Sequence, residues 1–151
     1  METVALRPIT LSDTDDIVRW RNSDAVRLNM QDQHIITAEQ HWNYYYSFIE
    51  KGIIIQYIIV VNSKSIGTVF YKKHNNTQVE LGVFIGEEDY RSKGYGRYAL
   101  TMILSEIRNK GVVKSILKVK KSNYNALGLY ESIGFSYVRD IDDGFVEMEK
   151  R

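Results

Sequence analysis

The residues best suited to chemistry form a basic, glycine-rich run, Arg91-Ser92-Lys93-Gly94-Tyr95-Gly96-Arg97. It follows a segment with strand character, residues 79–85, and opens a segment with helix character, residues 98–109. Glycines at such a junction let several backbone N–H groups point toward one spot, and a helix N-terminus adds partial positive charge there. The two arginines and the lysine add full charges. The run therefore predicts a cradle for an anion, best suited to a phosphate or pyrophosphate.

The same glycines also fit the dinucleotide-binding pattern G-x-G-x-x-A, which would end at Ala99. That pattern needs the glycines directly after a strand and an acidic residue about 20 positions later, at the end of the next strand. Here residues 87–93 separate the strand from the glycines, and the next strand ends in lysines. This context argues against nicotinamide binding. A tight turn with solvated cations is the remaining alternative to a phosphate cradle.

A second motif carries Asn123, Ala126, Tyr130 and the pair Gly134-Phe135 at regular spacing. The order R-x-x-G-x-G, helix, strand and then this motif resembles the GNAT superfamily of N-acetyltransferases, from about Val4 to the end. The resemblance implies one acetyltransferase domain over residues 1–151. It implies an α+β fold, layered α/β/α, whose mixed and mostly antiparallel sheet splays apart at its central strands. It also implies that the first motif binds the pyrophosphate of acetyl-CoA, with the pantetheine arm in the gap.

The resemblance assigns the acetyl-CoA contacts residue by residue. Phe84 and Ile85, at the end of the strand before the cradle, would pair with the pantetheine amides like an added strand. Asn123 would hydrogen-bond the pantetheine arm, and it is also a plain N-cap. The predicted cofactor-binding residues are Phe84, Ile85, Arg91, Ser92, Lys93, Gly94, Tyr95, Gly96, Arg97, Asn123 and Tyr130.

Tyr130 and Glu80 are the predicted catalytic residues. A phenol with a pKa of about 10 can protonate a leaving thiolate whose thiol has a pKa of about 8.5, and the family places a tyrosine with this role at the Tyr130 position. Glu80 shares a strand face with Gly82 and Phe84, by the period of two. There it could deprotonate the acceptor amine through a water or attract the ammonium. The alternatives are a tyrosine packed on the Gly134-Phe135 turn and an exposed glutamate.

The acceptor is expected to meet the first helices and the loop between them. Residues 19–30 are basic and aromatic, which suits a phosphorylated or nucleotide-bearing acceptor. Together with His41 and Trp42, this segment resembles nucleotide-amino-sugar N-acetyltransferases of the pseudaminic-acid type, which acetylate a 4-amino group on a UDP-linked sugar. The predicted substrate-binding residues are Trp20, Arg21, Asn22, Arg27, Met30 and Glu80.

Several alternatives stay open at this point. Ile17, Val18 and Trp20 could be the apolar face of a helix whose arginines lie in solvent. Ribosomal-protein N-terminal acetyltransferases share the Leu6-Arg7-Pro8 opening and the same motif order. Polyamine or antibiotic acetylation has less residue support. A non-catalytic acyl-CoA-binding sensor domain is the alternative of another class.

The composition of the whole chain excludes further classes of protein and of functional site. A net charge of +1 over 151 residues argues against a general nucleic-acid binder. The absence of cysteine excludes disulfides and an acetyl-cysteine intermediate, so acetyl transfer is expected to be direct. His34, His41 and His74 lack the spacing of metal ligands. Without a signal peptide or membrane-spanning stretch, the expectation is a soluble cytoplasmic protein, and the resemblance leaves a homodimer open.

Periodicity and turn residues predict the element order β-α-α-β-β-β-α-β-α-β-β. The first helix is expected to be capped by Ser12, with Asp13 in its first turn, and Thr37 and Gln40 form a capping box for the second. The third helix is expected to direct Tyr98, Met102, Leu104 and Ile107 toward the sheet. The predicted helices are 12–22, 37–52, 98–109 and 123–132, and the predicted strands are 4–7, 54–62, 65–73, 78–86, 113–119, 135–139 and 145–149.

Overall fold

The computed structural model describes residues 2–151, which form seven strands and five α-helices. In chain order these are β1 (Val4–Pro8), α1 (Thr14–Asn22), α2 (Asp24–Arg27), α3 (Ala38–Tyr44), β2 (Ile54–Val61), β3 (Lys64–Lys73), β4 (Gln78–Ile85), α4 (Tyr95–Asn109), β5 (Lys114–Lys120), α5 (Tyr124–Ile133), β6 (Ser136–Ile141) and β7 (Phe145–Lys150). The predicted order is confirmed, and the short helix α2 is an addition that the sequence did not predict.

All strands form one sheet, in the order β1-β2-β3-β4-β5-β7-β6. Neighbouring strands are antiparallel except β4 and β5, which are parallel. These two strands pair at only three positions, from Gln78 opposite Lys114 to Glu80 opposite Ile116. Beyond Glu80, β4 pairs with β3 alone, and β5 pairs with β7 alone. The predicted fold class, a mixed sheet splayed at its central strands, is confirmed.

The two faces of the sheet carry separate helical layers. Neighbouring residues of β2 show the division, because side chains alternate between the faces of a strand. Ile59 belongs to the larger core, which packs the sheet against α4 and α5. Ile58 belongs to a smaller core with Ile9, Ile17 and Trp20, which lies under α1. Gly82 and Phe84 of β4 share a face with Glu80, so they lie toward the α1 side.

The start of α4 is displaced from the predicted position. Gly94 is the N-cap in a left-handed conformation, with φ of 90°, and the helix begins at Tyr95. Its buried face consists of Tyr95, Ala99, Leu100, Ile103 and Ile107. The predicted inward direction of Tyr98 and Met102 is wrong, because they are 38% and 47% exposed. At 3.6 residues per turn, Tyr98 and Ile107 lie on opposite sides of the helix, so both cannot face the sheet.

Capping was predicted correctly for α3 and wrongly for α1. At α3, the Thr37 hydroxyl accepts from the Gln40 amide, and the Gln40 side chain accepts from the Thr37 amide. Before α1, a 3-10 turn at Leu11–Asp13 has Thr10 as its N-cap. Asp13 is buried, and its two oxygens accept from the Arg7 guanidinium at 2.6 and 2.9 Å. The aspartate therefore joins β1 to α1 instead of facing solvent.

Candidate active site

The separation of β4 and β5 opens a cavity of about 560 Å³. Its walls come from both strands, from the first turns of α4 and α5, and from the loop after α2. Its lining includes Met30 and Asp32 in that loop, Phe70 on β3, Glu80 to Ile85 on β4, Arg91, Ser92 and Gly96 around the start of α4, Lys118 on β5, and Asn123 and Tyr130 at α5. The two predicted motifs therefore meet at one site.

Unpaired backbone amides line the start of α4. Ser92 and Gly94 have positive φ values of 59° and 90°, which turn the chain sharply into the helix. The first bond of the helix runs from the Tyr98 amide to the Gly94 carbonyl. The amides of Tyr95, Gly96 and Arg97 therefore have no acceptor within the helix. Since a helix N-terminus also carries partial positive charge, this end of the cavity suits a phosphate group.

Arg91 joins this loop to the end of β4. Its Nε donates to the Ile85 carbonyl at 3.0 Å, and one terminal nitrogen donates to the Gly86 carbonyl at 3.1 Å. Because the side chain also lines the cavity, it holds the loop in place and presents positive charge to it. Six other predicted cofactor-binding residues also line the cavity and are thus brought together. They are Phe84, Ile85, Ser92, Gly96, Asn123 and Tyr130.

Four residues of the predicted cofactor-binding set do not line the cavity. The side chain of Tyr95 belongs to the core and its hydroxyl donates to Glu2 at 2.6 Å, so only the backbone amide of Tyr95 is left for the predicted ligand contact. The guanidinium of Arg97 donates to the Ser132 hydroxyl. Lys93 is exposed beside the Tyr90 ring. Gly94 acts through its backbone conformation, as the N-cap of α4.

Tyr130 lies on α5 with its ring packed near that of Phe135. The residue is 7% exposed, yet among residues 2–151 its hydroxyl has no hydrogen-bond partner. Burial raises the pKa of Tyr130 to about 12, so the phenol is fully protonated at neutral pH. At the start of the same helix, the Asn123 oxygen accepts from the Ala126 amide, which leaves the Asn123 amide nitrogen available to a ligand. Asn123 is therefore the N-cap of α5 and Tyr130 packs near Phe135, while their predicted roles toward acetyl-CoA stay predictions.

Glu80 occupies the position where the two central strands part. Its carboxylate lies 3.3 Å from the Lys118 ammonium and 3.4 Å from the His74 ring. The side chain lines the cavity on the face shared with Gly82 and Phe84, as predicted. If Glu80 accepts a proton from the amine, its carboxylate must do so while it lies close to the basic side chains of Lys118 and His74.

Trp20 does not contact the cavity. It is 1% exposed, and a Cβ at Gly86 would lie only 2.1 Å from its ring. Its ring meets Phe84 edge to face, and its indole N–H donates to Glu87. The predicted acceptor contact of Trp20 is wrong, because the Ile17 and Trp20 spacing turns this ring into the core under α1.

The remaining predicted acceptor residues play different parts. Met30 lines the cavity. Asn22 binds the backbone N–H and carbonyl of Ile36, and Arg27 donates to Asp24 and to the Gln33 carbonyl. These two side chains shape the loop around the acceptor end of the cavity and do not line it. Arg21 is half-buried and does not line the cavity.

Phe70 is a cavity residue that the sequence analysis missed. It lies opposite Gly82 in the pairing of β3 with β4, and a Cβ at Gly82 would come within 2.2 Å of its ring. The glycine therefore lets the ring lie over β4. A glycine inside a strand signals such a close approach, although the sequence does not identify the partner.

Glu87 makes the packing of α1 onto the cradle loop sensitive to acid. The Trp20 hydrogen bond holds the pKa of Glu87 below its usual value, and the Arg19 guanidinium at 2.8 Å adds to this effect against the opposing effect of burial. A depressed pKa in the folded state stabilises the protein above the unfolded pKa, and this stability is lost as the pH falls through the folded pKa.

We expect Glu87→Gln to lower the free energy of unfolding at pH 7 by about 1–3 kcal/mol, because Trp20 and Arg19 lose a charged acceptor. Its stability is also expected to depend less on pH between about 5 and 3. Urea unfolding across this range measures both effects. Glu88→Gln, at an exposed neighbouring carboxylate, is the control. Parallel pH profiles for wild type and Glu87→Gln would contradict the assignment.

A family profile described as Acetyltransferase (GNAT) domain matches residues 3–136. The chain belongs to the GNAT acetyltransferase family. A solved structure with the same fold, the putative acetyltransferase yncA from Salmonella typhimurium, holds acetyl-CoA as its cofactor. The unpaired amides of α4, the open space around Gly96 and the partly unpaired edge of β4 fit that co-substrate.

Three comparisons describe its relatives. A crystallised domain from Methanocaldococcus jannaschii superposes with a TM-score of 0.91 at 22% identity, over 99% of both chains. Spermidine N-acetyltransferase from Vibrio cholerae, solved with CoA and spermine, gives a TM-score of 0.85 at 18% identity over 97% of this chain and 94% of that one. The [ribosomal protein bS18]-alanine N-acetyltransferase of Salmonella typhimurium is 40% identical over 50 residues, 33% of this chain.

These matches bear on the acceptor only indirectly. The matched segments span 28% and 34% of the lengths of the first two curated relatives. The acceptors named for the relatives include a ribosomal protein and a polyamine, so the family alone does not identify the acceptor of this chain.

Residues 2–151 contain no group of three or more His, Cys, Asp or Glu side chains placed to hold a metal ion. None of the helices described for this chain has the length and apolar composition needed to cross a bilayer.

Proposed function

We propose that this protein transfers the acetyl group of acetyl-CoA directly to a primary amine of a small, nucleotide-linked amino sugar. The observation that carries the acetyl-transfer step is Tyr130, which lines the cavity between β4 and β5 and whose hydroxyl makes no hydrogen bond within residues 2–151. When bound, acetyl-CoA supplies an activated acetyl group as a thioester.

The binding residues act first. The amides at the start of α4 and the Arg91 side chain hold the pyrophosphate, and the β4 backbone at Phe84 and Ile85 pairs with the pantetheine amides. The free Asn123 amide nitrogen donates to the same arm. Since β5 has already left β4 at this level, the β4 edge is open for such pairing.

Two proton movements complete the transfer. The acceptor nitrogen forms a C–N bond to the acetyl carbon as the C–S bond breaks. Tyr130 donates its proton to the departing thiolate. Glu80 accepts the excess proton of the amine, through a water, or attracts the ammonium before reaction. Lys118 and His74 hold the Glu80 carboxylate at the mouth of the gap.

The amino-sugar acceptor is supported by the charge around the acceptor end. Met30, in the loop after α2, lines the cavity, and arginines occur on α1 and α2 just before this loop in the chain. Arginine recognises phosphate groups through paired hydrogen bonds, so these side chains favour an acceptor that carries phosphate. An N-terminal peptide is the second candidate, favoured by the 40% identity to a ribosomal-protein acetyltransferase.

Thiol release from acetyl-CoA tests the proposal. The acceptors to compare are UDP-linked amino sugars, N-terminal peptides, polyamines and aminoglycosides. Release with a UDP-amino sugar alone supports the proposal, and release with peptides alone supports the second candidate. A protein that binds acetyl-CoA and releases no thiol with any of them would instead support an acyl-CoA sensor.

We expect Glu80→Gln to lower kcat/KM for the acceptor about 10²-fold, because the amide cannot accept a proton or attract an ammonium as the carboxylate does. The affinity for acetyl-CoA should stay close to that of wild type. Initial rates at varied acceptor concentration measure the change. The matched control is Glu149→Gln, which breaks a comparable ion pair to Lys114 away from the cavity. Equal losses in both variants would remove Glu80 from the mechanism.

A further inference from the structure

Lys118, on β5, brings a primary amine to the proposed transfer site. No other lysine among residues 2–151 lines the cavity between β4 and β5. The Lys118 ammonium lies 3.3 Å from Glu80 Oε1, and the lysine side chain is 32% exposed. The chain itself therefore places an amine beside the carboxylate that is proposed to accept the proton of the acceptor.

Lys118 and Tyr130 reach the gap in the sheet from opposite faces. Leu117 and Val119 belong to the larger core against α4 and α5, and Tyr130 is part of the same core. Since side chains alternate along a strand, Lys118 points to the other face, toward Glu80. An amine on that face can approach an acetyl group in the gap without displacing the phenol that protonates the thiolate.

Two other lysines lie on the same face of β5 and are placed differently. Lys120 donates to the Leu28 carbonyl at 2.8 Å and does not line the cavity. Lys114 forms an ion pair with Glu149 at 3.1 Å, away from the cavity. The Lys114 side chain is 28% exposed, and both glutamate partners are 24% exposed. Lys114 and Lys118 therefore have similar ion pairs and differ in their position relative to the cavity.

We propose that the protein, with acetyl-CoA bound, transfers an acetyl group to the side chain of its own Lys118. This inference rests on the proposed transfer chemistry and adds a modification site on the chain itself. A bond forms between Lys118 Nζ and the acetyl carbon as the C–S bond of the thioester breaks. The ammonium gives up two protons through Glu80. One of them replaces, by way of water, the proton that Tyr130 donates to the departing thiolate, and the other is released to solvent.

Attachment to the sheet favours reaction at Lys118. The amine and the bound thioester are held by neighbouring strands, so the reaction needs no encounter with a second molecule. The opposing factor is the ion pair, which Lys118 must leave before its nitrogen can attack. Transfer to a free acceptor therefore competes with self-acetylation, and Lys118 is expected to be acetylated mainly when the acceptor is absent.

Acetyl-CoA with an isotopic label in its acetyl group tests this inference, in the absence of any added acceptor. Peptide mass mapping of the full chain over time measures the label at each lysine. We expect Lys118 to be acetylated at least about 10²-fold faster than Lys114, because only Lys118 lies beside the bound thioester. Lys114 is the internal control, because its similar ion pair reports the reaction with unbound acetyl-CoA.

Excess CoA tests whether the label reaches Lys118 through the cavity. CoA competes with acetyl-CoA for its site, so it should slow acetylation of Lys118 and leave the rate at Lys114 unchanged. Lys118→Arg keeps the positive charge and should abolish the fast phase of label uptake by the whole protein, whereas Lys114→Arg should keep it. Equal rates at the two lysines, a rate at Lys118 that does not respond to CoA, or a fast phase retained in Lys118→Arg would overturn the inference.

Self-acetylation at this site stops after a single acetyl group per chain, so the two proposals can fail separately. Continued thiol release with an added amine, without label at Lys118 in the absence of that amine, would overturn self-acetylation and leave the transferase. Label at Lys118, without further thiol release for any added amine, would contradict transfer to a free acceptor and leave self-acetylation.

Discussion

Tyr130→Phe should lower kcat at least about 10²-fold while the KM for acetyl-CoA stays close to that of wild type. The ring remains, so packing against Phe135 and the wall of the cavity is kept. Only the hydroxyl is lost, and that hydroxyl has no bond elsewhere in residues 2–151. The loss is therefore expected in the step that protonates the thiolate and not in folding or binding.

Steady-state rates with saturating acceptor measure this effect. Tyr124→Phe is the matched control, because Tyr124 lies on the same helix and is 78% exposed. The pKa of Tyr130, at about 12, adds a condition on the pH profile. Wild-type kcat should show no loss from phenol ionisation up to about pH 10, because the acid stays protonated there. A variant with wild-type kcat would show that another group or water protonates the thiolate.

Gly96→Val should weaken acetyl-CoA binding about 10²-fold without unfolding the protein. A Cβ at Gly96 would meet no protein atom closer than the Leu129 side chain, at 3.8 Å, so the fold can accept the larger residue. The added methyl groups would instead extend into the cavity beside the unpaired amides of α4. A pyrophosphate could then no longer approach those amides.

Calorimetric titration measures the affinity of Gly96→Val for CoA, and thermal melting measures its stability. Gly128→Val is the matched control, because Gly128 is helical and exposed and has nothing near its missing Cβ. Both variants should lose similar stability from placing a β-branched residue in a helix. Wild-type affinity for CoA in Gly96→Val would place the pyrophosphate elsewhere.

Local patterns predicted much of the architecture. The element order, the α3 capping box and the helices that carry the two motifs were predicted from periodicity, turn residues and spacing. These are properties of residues that lie close together in the chain. The displaced start of α4 has a short-range cause as well, because Gly94 takes the N-cap position that the sequence pattern alone did not identify. Sequence predicts such elements well because their stability depends on neighbouring residues.

The failures concern contacts between residues far apart in the chain. Trp20 has the composition of a ligand-stacking residue, but its partner is Gly86, which provides the room for its ring. Phe70 reaches the cavity because of Gly82 on the next strand. Neither of these relationships can be seen in a local stretch of sequence.

Because β4 and β5 pair at only three positions, the sheet consists of a four-stranded half and a three-stranded half that are joined by this short pairing. A pantetheine arm that hydrogen-bonds to the β4 edge and packs against the three-stranded half would connect the two halves across the gap. We therefore expect ligand binding to slow amide hydrogen exchange in both halves of the sheet. The slowing should include β5, which the pantetheine amides do not pair with. Because the gap separates two halves of one sheet, we expect a ligand bound in it to make both halves more rigid.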